Sequence, residues 1–283
     1  MDIDGKSLAD EWLQLTKQKA RNLKCKPGIA FVLVGNDPAS QTYVRSKRKK
    51  CEEVGFNSQK IELEQRVSQT ELFRVIDQLN TDPKIHGILV QMPLPSQLDQ
   101  NAVIRRVRPE KDVDGFHPIN MGRIVLGDLS GPIPCTPHGI IKILEKYDVK
   151  TEGAEVVIVG RSNIVGKPLA NLLMQKTNPG NATVTLAHSY SHDLPAICRR
   201  ADILIAAIGK PRLITANMVK EGAVVIDVGI NRLDSGDLIG DVDYDNVHTK
   251  ASLITPVPGG VGPMTIAMLL HNTLECAQKA SNC

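Results

Sequence analysis

Two patterns of apolar positions alternate along the chain. In one, apolar residues recur every three to four positions, as on one face of a helix; in the other, they form short continuous runs, as in strands buried on both faces. This alternation predicts an α/β fold with parallel strands covered by helices. In the first half we predict helices at 6–24, after the turn Asn36–Pro38 through about Val54, and at 69–80, and strands at 28–35, around Ile61 and at 86–91.

The pattern starts again in the second half of the chain. A last apolar helix, at about 263–280, follows a turn rich in glycine and proline, and we expect it to pack back on the first half. Successive βα units before it are typical of a Rossmann-like parallel sheet. The predicted strands of this half lie at 155–160, 182–187, 201–206 and 223–228, and a helix at 166–176 joins the first two.

Residues 108–137 separate the two halves. They are rich in Pro, Gly and Asp and contain no long periodic segment, which indicates a functional loop region beside a domain boundary. We therefore predict two α/β domains flanking a cleft. The first comprises 1–140, which the C-terminal helix 265–283 rejoins, and the second is a Rossmann-like domain at 141–264.

Composition argues against several classes of protein. The formal net charge is only +3 and 3% of residues are aromatic, so the sequence lacks the signs of nucleic-acid binding, and the basic run Arg45–Lys50 is expected to be a solvated helix face. No apolar stretch approaches the ~20 residues that cross a bilayer, and the first residues show no secretory signal pattern. The six cysteines are scattered without C-x-x-C spacing, so we expect a cytoplasmic protein with neither a metal site nor a disulfide framework.

A candidate cofactor site follows the strand at 155–160. Gly160–Pro168 leads from a strand into a helix, where glycines let a turn approach a pyrophosphate and the helix N-terminus offers free N–H groups. The spacing is not G-x-G-x-x-G, so a tight turn without a ligand is an alternative. A P-loop is excluded because five residues separate Gly160 from Gly166, and Pro168 stands where Ser or Thr must bind magnesium.

Two features favour NADP over NAD at this turn. NAD-dependent enzymes usually place a carboxylate on the ribose near the end of the second strand, which here ends at Ala187, His188 and Ser189 without one. Arg161 can pair with a phosphate, and a bound anion would offset the unfavourable position of a cation at the start of a helix.

A possible acid–base pair lies in the first half. Tyr43 and Lys47 share one face of the predicted helix, and a lysine can act as a base when burial or neighbouring cations lower its pKa. An aromatic residue beside an ordinary lysine is the more common interpretation of this spacing. Short-chain dehydrogenases have the opposite order, with the nucleotide-binding turn first, so we expect the two segments on different domains facing one cleft.

Three further segments suggest ligand contacts. Gln91 ends a parallel strand, where ligands bind in α/β sheets. Asp112 and Asp114 lie in the loop region, where a carboxylate could bind an aminopyrimidine-like edge or simply cap a turn. The turn 255–265 combines prolines, which fix φ, with glycines, which allow close backbone approach, and we interpret it as a ligand-contacting loop.

Together these segments resemble the bifunctional methylenetetrahydrofolate dehydrogenase/methenyltetrahydrofolate cyclohydrolase family. The motifs occur in the family's order over nearly the whole chain, and their combination is more specific than any one of them. They are Tyr43–Lys47 (YVRSK), Val90–Pro95 (VQMPLP), Pro109–Gly115 (PEKDVDG), Gly160–Ser162 (GRS) with Val165–Pro168 (VGKP), and the turn 256–265.

The resemblance implies a role for each candidate in a folate-binding catalytic domain, 1–140. Lys47 would be the general acid/base, and Gln91 would hydrogen-bond it and tune it. Tyr43 would stack on or position the folate, and Asp114 would hold the pterin ring.

The resemblance also assigns the 141–264 domain to NADP. Ser189 would reach the 2′-phosphate, and Ile230 would lie near the cofactor. Pro258 and Gly259 would border the folate site. The residues of the glycine-rich turn that would bind NADP are Gly160, Arg161, Ser162, Val165 and Gly166.

The implied reactions act on tetrahydrofolate derivatives in a homodimer. NADP would oxidise 5,10-methylenetetrahydrofolate to 5,10-methenyltetrahydrofolate, and water would then convert this product to 10-formyltetrahydrofolate. Two alternatives stay open. One is a dehydrogenase of the same architecture without cyclohydrolase activity, and the other is a folate- or nucleotide-binding regulatory protein without activity.

Overall fold

The computed structural model describes residues 1–280, which form two compact α/β units. One, the five-stranded unit, comprises Met1–Asp10 and Thr136–Thr265; the other, the three-stranded unit, comprises Glu11–Cys135 and the chain from Ile266 onward. The α/β class with parallel sheets is therefore confirmed. The last three residues of the helix expected at 265–283 lie outside the described part of the chain.

The three-stranded unit is built on a parallel sheet of β1 (Gly28–Val34), β2 (Asn57–Leu63) and β3 (Gly87–Val90), in the order β2-β1-β3. Every residue of the central β1 is buried, as its continuous apolar run predicts, whereas exposure varies along the edge strand β2. The helices that lie wholly in this unit are α2 (Pro38–Val54), α3 (Gln69–Thr81), α4 (Gln100–Arg106) and α5 (Pro118–Val125). Two further helices belong to it in part: α1 (Gly5–Ala20) from Glu11 onward and α10 (Val261–Lys279) from Ile266 onward.

The five-stranded unit contains a parallel sheet in which β4 (Glu155–Val159) pairs with β5 (Thr183–Ala187) on one side and β6 (Ile203–Ala206) on the other. Its order, β5-β4-β6-β7-β10, continues through β7 (Val224–Asp227) to β10 (Leu253–Ile254). This is the Rossmann-like arrangement expected from the βα rhythm. The other elements are α6 (Cys135–Lys146), α7 (Gly166–Leu173), α8 (Leu194–Arg199), the antiparallel hairpin of β8 (Asn231–Arg232) and β9 (Leu238–Ile239), and α9 (Tyr244–Val247).

Each unit has its own apolar core. In the three-stranded unit, alternate residues of β1, such as Ala30 and Val32, pack with Leu72 and Ile76 of α3. In the five-stranded unit, the strands bury a continuous set of aliphatic side chains that includes Val157, Leu204 and Val225. These cores hold the carboxyl ends of the parallel strands in fixed positions, and ligands of α/β proteins bind at such ends.

Short elements are where the structure differs from the sequence expectation. Residues 108–137 include the eight-residue helix α5, which begins at Pro118 and is too short to show a clear apolar period. The hairpin β8–β9 has strands of two residues each and was not predicted either.

Other features bear on the class of protein. Within residues 1–280, no helix is both long and apolar enough to span a membrane, and no group of His, Cys, Asp and Glu side chains could hold a metal ion. Cys25 is disulfide-bonded, a bond that the cysteine spacing did not indicate. Among residues 1–280, the free cysteines are Cys51, Cys135, Cys198 and Cys276, and all of them are buried.

Candidate active site and cofactor-binding turn

Helix α2 carries Lys47 on its buried face. The Asp37 carboxylate caps the helix by accepting a hydrogen bond from the Ser40 N–H at 2.7 Å, and Pro38 occupies the first turn, where no N–H is needed. Only 9% of the Lys47 surface is exposed, because this lysine falls within the apolar stripe of the helix. The buried positions recur every three or four residues: Ser40, Val44, Lys47, Cys51 and Val54.

Three of the predicted catalytic residues meet at this point. The Lys47 ammonium donates to Gln91 Oε1 at 3.1 Å, and the Gln91 amide nitrogen donates to the Met92 carbonyl at 2.7 Å. The second bond orients the amide so that its oxygen faces the lysine. The Lys47 nitrogen also lies 5.6 Å from the centre of the Tyr43 ring, whose side chain is 42% exposed. A planar ligand can therefore stack on Tyr43 within reach of the amine.

Asp114, the fourth predicted catalytic residue, is a half-buried carboxyl group in the same unit. It lines an apolar recess with Val90, Met92 and Phe116. Burial raises the pKa of Asp114 to about 6, while the nearby positive charge of Lys47 opposes this rise. Among the described residues, none donates a hydrogen bond to its carboxylate, so this group is available to a ligand.

Asp112 has a structural role instead. Its buried carboxylate accepts hydrogen bonds from the His117 N–H at 2.8 Å and from the Asn120 side chain at 2.9 Å, at the start of α5. Burial raises the pKa of Asp112, and these hydrogen bonds oppose the shift. Asp112 therefore matches the capping alternative, and ligand binding by Asp114 stays a prediction.

The backbone around Asp114 is fixed by Gly115 and Asn272, neither of which was among the predicted site residues. Gly115 has a φ of +77°, and a Cβ atom there would lie 2.5 Å from the Pro134 nitrogen. The buried Asn272 of α10 donates to the carbonyl groups of Val113 at 2.9 Å and Ile133 at 2.8 Å. Gly115 carried a signal, since it follows Asp-Val-Asp directly, whereas Asn272 could be found only from the fold.

The glycine-rich turn of the five-stranded unit leaves no room for side chains at its two glycines. Gly160 has a φ of +131°, and a Cβ atom there would lie 2.1 Å from the Ala207 carbonyl oxygen. A Cβ atom on Gly166 would lie 2.0 Å from the Gly160 carbonyl oxygen. The turn therefore packs tightly between β4 and α7, which places its backbone at the carboxyl edge of the sheet.

The N-terminus of α7 has no side-chain cap. Val165 occupies the capping position, where Ser, Thr or Asp is usual, and no side chain there bonds to the helix. The Ser162 hydroxyl accepts the Val165 N–H at 3.1 Å, just outside the helix. Arg161 is exposed, and no ion pair of the described residues includes it. An uncapped helix start beside an unpaired guanidinium suits a phosphate-bearing ligand.

The remaining predicted contacts also lie in the five-stranded unit. Ser189 is exposed directly after β5, and Ile230, 48% exposed, follows β7. Pro258 and Gly259 belong to the turn before α10, in which the Gly260 N–H donates to the Pro256 carbonyl at 2.9 Å and Gly259 has a φ of +110°. All three segments are therefore loops at strand ends or a helix start.

Two buried aspartates that the sequence did not single out organise these loops. Asp241 accepts hydrogen bonds from the Ile208 and Gly209 N–H groups, at 2.7 and 2.8 Å, and from the Asn231 side chain at 2.9 Å. Asp227 accepts the N–H of Gly229 and, at the same distance of 2.9 Å, that of Asp241 itself. Burial raises the pKa of Asp227 to about 6. The loops after β6 and β7 are thereby tied together beside Ile230.

Two family models cover most of the chain. The tetrahydrofolate dehydrogenase/cyclohydrolase catalytic domain matches residues 3–114, and the NAD(P)-binding domain of the same family matches residues 134–281. The chain belongs to the tetrahydrofolate dehydrogenase/cyclohydrolase family.

Relatives of this family match over nearly their full length. The bifunctional protein FolD of Moorella thermoacetica is 56% identical over 280 residues, which cover 98% of both chains. The crystal structure of the bifunctional FolD from Campylobacter jejuni is 49% identical, has a TM-score of 0.95 and is matched over 98% of both chains. The FolD of Trypanosoma brucei, solved with NADP and an inhibitor, is 36% identical with a TM-score of 0.93, over 100% of this chain and 99% of that one.

Membership of the tetrahydrofolate dehydrogenase/cyclohydrolase family confirms the resemblance found in the sequence. It also confirms that the second half of the chain is an NAD(P)-binding domain of this enzyme family. The roles of individual residues stay predictions, and the distances and burial described above show which side chains each prediction concerns.

Proposed function

We propose that this protein oxidises 5,10-methylenetetrahydrofolate with NADP and hydrolyses the 5,10-methenyl product to 10-formyltetrahydrofolate. The observation that carries the proposal is the buried Lys47, hydrogen-bonded to Gln91 beside Tyr43 and near Asp114. A positioned amine is what hydrolysis requires and what a dehydrogenase alone would not need. The bifunctional relatives at about half identity support the same conclusion.

The three-stranded unit would bind the folate. The exposed face of Tyr43 would stack on the planar part of the substrate, and the Asp114 carboxylate would accept hydrogen bonds from the aminopyrimidine edge of the pterin. Pro258 and Gly259 would contribute contacts from the loop before α10. These groups position the substrate carbon for both reactions.

The residues of the glycine-rich turn fit NADP. Gly160 and Gly166 permit backbone contact with a pyrophosphate, Ser162 and Val165 lie at the uncapped start of α7, and Arg161 has no competing carboxylate. Ser189 and Ile230 would complete the contacts. When bound, NADP supplies the hydride acceptor.

The protein's own groups would carry the proton transfers. Loss of a hydride from the methylene carbon, with the five-membered ring closed, gives the 5,10-methenyl cation, whose positive charge the two neighbouring nitrogens share. Water then adds to this carbon. Lys47, as the neutral amine, would take one proton from the water and return it to the folate nitrogen as the carbon–nitrogen bond breaks, while Gln91 holds the amine in place. The second proton of the water is released to solvent as the formyl carbonyl forms.

A paired assay tests the proposal. Growth of reduced-nicotinamide absorbance with 5,10-methylenetetrahydrofolate, compared for NADP and NAD, measures the dehydrogenase. Decay of 5,10-methenyltetrahydrofolate absorbance without nicotinamide measures hydrolysis. We expect both activities and faster oxidation with NADP. Oxidation without hydrolysis would identify the monofunctional alternative, and neither activity would identify a binding protein.

The pKa of Asp114 predicts how folate binding depends on pH. This pKa is raised from 3.8 to about 6, so the carboxylate that accepts from the pterin is lost as pH falls through about 6. KM for 5,10-methenyltetrahydrofolate should therefore rise roughly tenfold per pH unit below that value. Asp114→Asn should have a raised KM that is flat over this range. A wild-type KM that stays constant between pH 7 and pH 5 would contradict the assignment.

We also propose that the protein is a cytoplasmic homodimer. The family resemblance supports this assembly, and sedimentation equilibrium of the purified chain measures it directly. A monomer at micromolar concentration would contradict it.

A further inference from the structure

Tyr190 is an unusually exposed aromatic residue, with 79% of its surface accessible. Its ring is not isolated, however. The Arg161 guanidinium carbon lies 5.7 Å from the ring centre, and the His188 ring meets it edge-on, with centres 6.3 Å apart. Burial does not hold the Tyr190 side chain in place. Its contact with the Arg161 guanidinium of the glycine-rich turn therefore requires an explanation.

The turn that carries Tyr190 is held in one shape. The Tyr190 N–H donates to His188 Nδ1 at 3.2 Å, and the His188 N–H donates to the Ser191 hydroxyl at 3.0 Å. The Ser191 N–H donates to the His188 carbonyl at 2.9 Å. This turn begins directly after β5, the strand end at which a dinucleotide ribose is bound in Rossmann-like domains. These hydrogen bonds therefore fix the backbone that carries the Tyr190 ring.

We propose that Tyr190 is a positioning residue that holds the Arg161 guanidinium for the 2′-phosphate of NADP. An arginine side chain has many rotamers, and ordering it on ligand binding reduces affinity. Stacking on the Tyr190 face orders the guanidinium beforehand and leaves its N–H edge free for a phosphate. Tyr190 thereby increases the discrimination of NADP from NAD. This inference rests on the proposed use of NADP.

Calorimetry with two cofactor fragments tests the inference without turnover. Adenosine 2′,5′-bisphosphate carries the 2′-phosphate, and adenosine 5′-monophosphate does not. Tyr190→Ala should weaken the bisphosphate about two- to fivefold, the change that corresponds to an exposed cation–π contact. It should leave the monophosphate unchanged, and Tyr190→Phe, which keeps the ring, should behave as wild type.

A double-mutant cycle identifies the partner. In an Arg161→Ala background, Tyr190→Ala should cause no further loss, because the ring then has no guanidinium to hold. Leu126→Ala, at an exposed apolar residue of the other unit, is the matched control and should bind both fragments as wild type does.

Three results would overturn the inference. They are an unchanged bisphosphate affinity in Tyr190→Ala, an equal loss for both fragments, and an undiminished loss in the Arg161→Ala background. A wild-type protein that does not prefer the bisphosphate would instead overturn the proposed use of NADP, so the two failures are distinguishable.

Discussion

Replacing Lys47 with methionine is expected to abolish hydrolysis of 5,10-methenyltetrahydrofolate while NADP still binds. Methionine keeps an unbranched apolar side chain of similar length at this buried position but cannot accept or return a proton. A positioned general acid/base typically contributes about 10²- to 10⁴-fold to rate, so hydrolysis should fall by that amount. NADP affinity should stay within about twofold of wild type, because the glycine-rich turn belongs to the other unit.

The matched control for this variant is Lys49→Met. Lys49 lies on the same helix but is exposed, so removing its charge should leave hydrolysis unchanged. A second readout comes from Asp114, because the Lys47 charge limits the rise of the Asp114 pKa that burial causes. Without that charge the Asp114 pKa rises above about 6, so the rise at low pH of KM for 5,10-methylenetetrahydrofolate, measured in the dehydrogenase assay, moves to higher pH. Wild-type hydrolysis in Lys47→Met would remove this residue from the mechanism.

The long elements could be predicted from the chain because their signals are local. β1 is a continuous apolar run, and the turn signal Asn36-Asp37-Pro38 marks the start of α2, so both were found within one or two residues of their bounds. α5 and the hairpin β8–β9 depend on contacts with other parts of their units. α5, for example, begins where the Asp112 carboxylate binds the His117 N–H, a contact that residue spacing alone does not reveal.

The same distinction applies to the candidate site. Tyr43 and Lys47 lie on one helix, so their proximity followed from helical spacing. Gln91, directly after β3 and 44 residues from Lys47 in sequence, accepts its hydrogen bond, and its strand-end position made it only a candidate. Spacing could not separate Asp112 from Asp114 either. The hydrogen bonds of Asp112 and the apolar surroundings of Asp114 distinguish them, and both depend on tertiary packing.

Asp227 and Asp241 show what sequence reasoning missed. A carboxylate after an apolar strand, such as Asp227 after β7, is a recognisable signal at a ligand-binding edge. Asp241 carries no such signal, because it acts on backbone N–H groups of Ile208 and Gly209, which are far away in sequence. Both are buried acceptors that fix loops, a role defined by which donors the fold brings near them.

Gly160→Ala is expected to remove most dehydrogenase activity while leaving hydrolysis largely intact. The new Cβ atom would lie 2.1 Å from the Ala207 carbonyl oxygen, and the φ of +131° is unfavourable for alanine. The turn must shift, and a displacement of about 1 Å at a binding site can reduce rate about 10²-fold. Hydrolysis depends on Lys47 in the other unit, so it should stay within a few-fold of wild type.

Gly153→Ala separates loss of the cofactor contact from general strain. Gly153 lies in the same unit with a φ of +72°, but no atom lies within 4 Å of its added Cβ. It should lower the free energy of unfolding by about 1 kcal/mol without changing the Kd for NADP. Gly160→Ala should raise that Kd at least about tenfold, because the shifted backbone no longer meets the pyrophosphate. Equal Kd values for the two variants would show that the close approach of Gly160 to Ala207 does not shape the cofactor site.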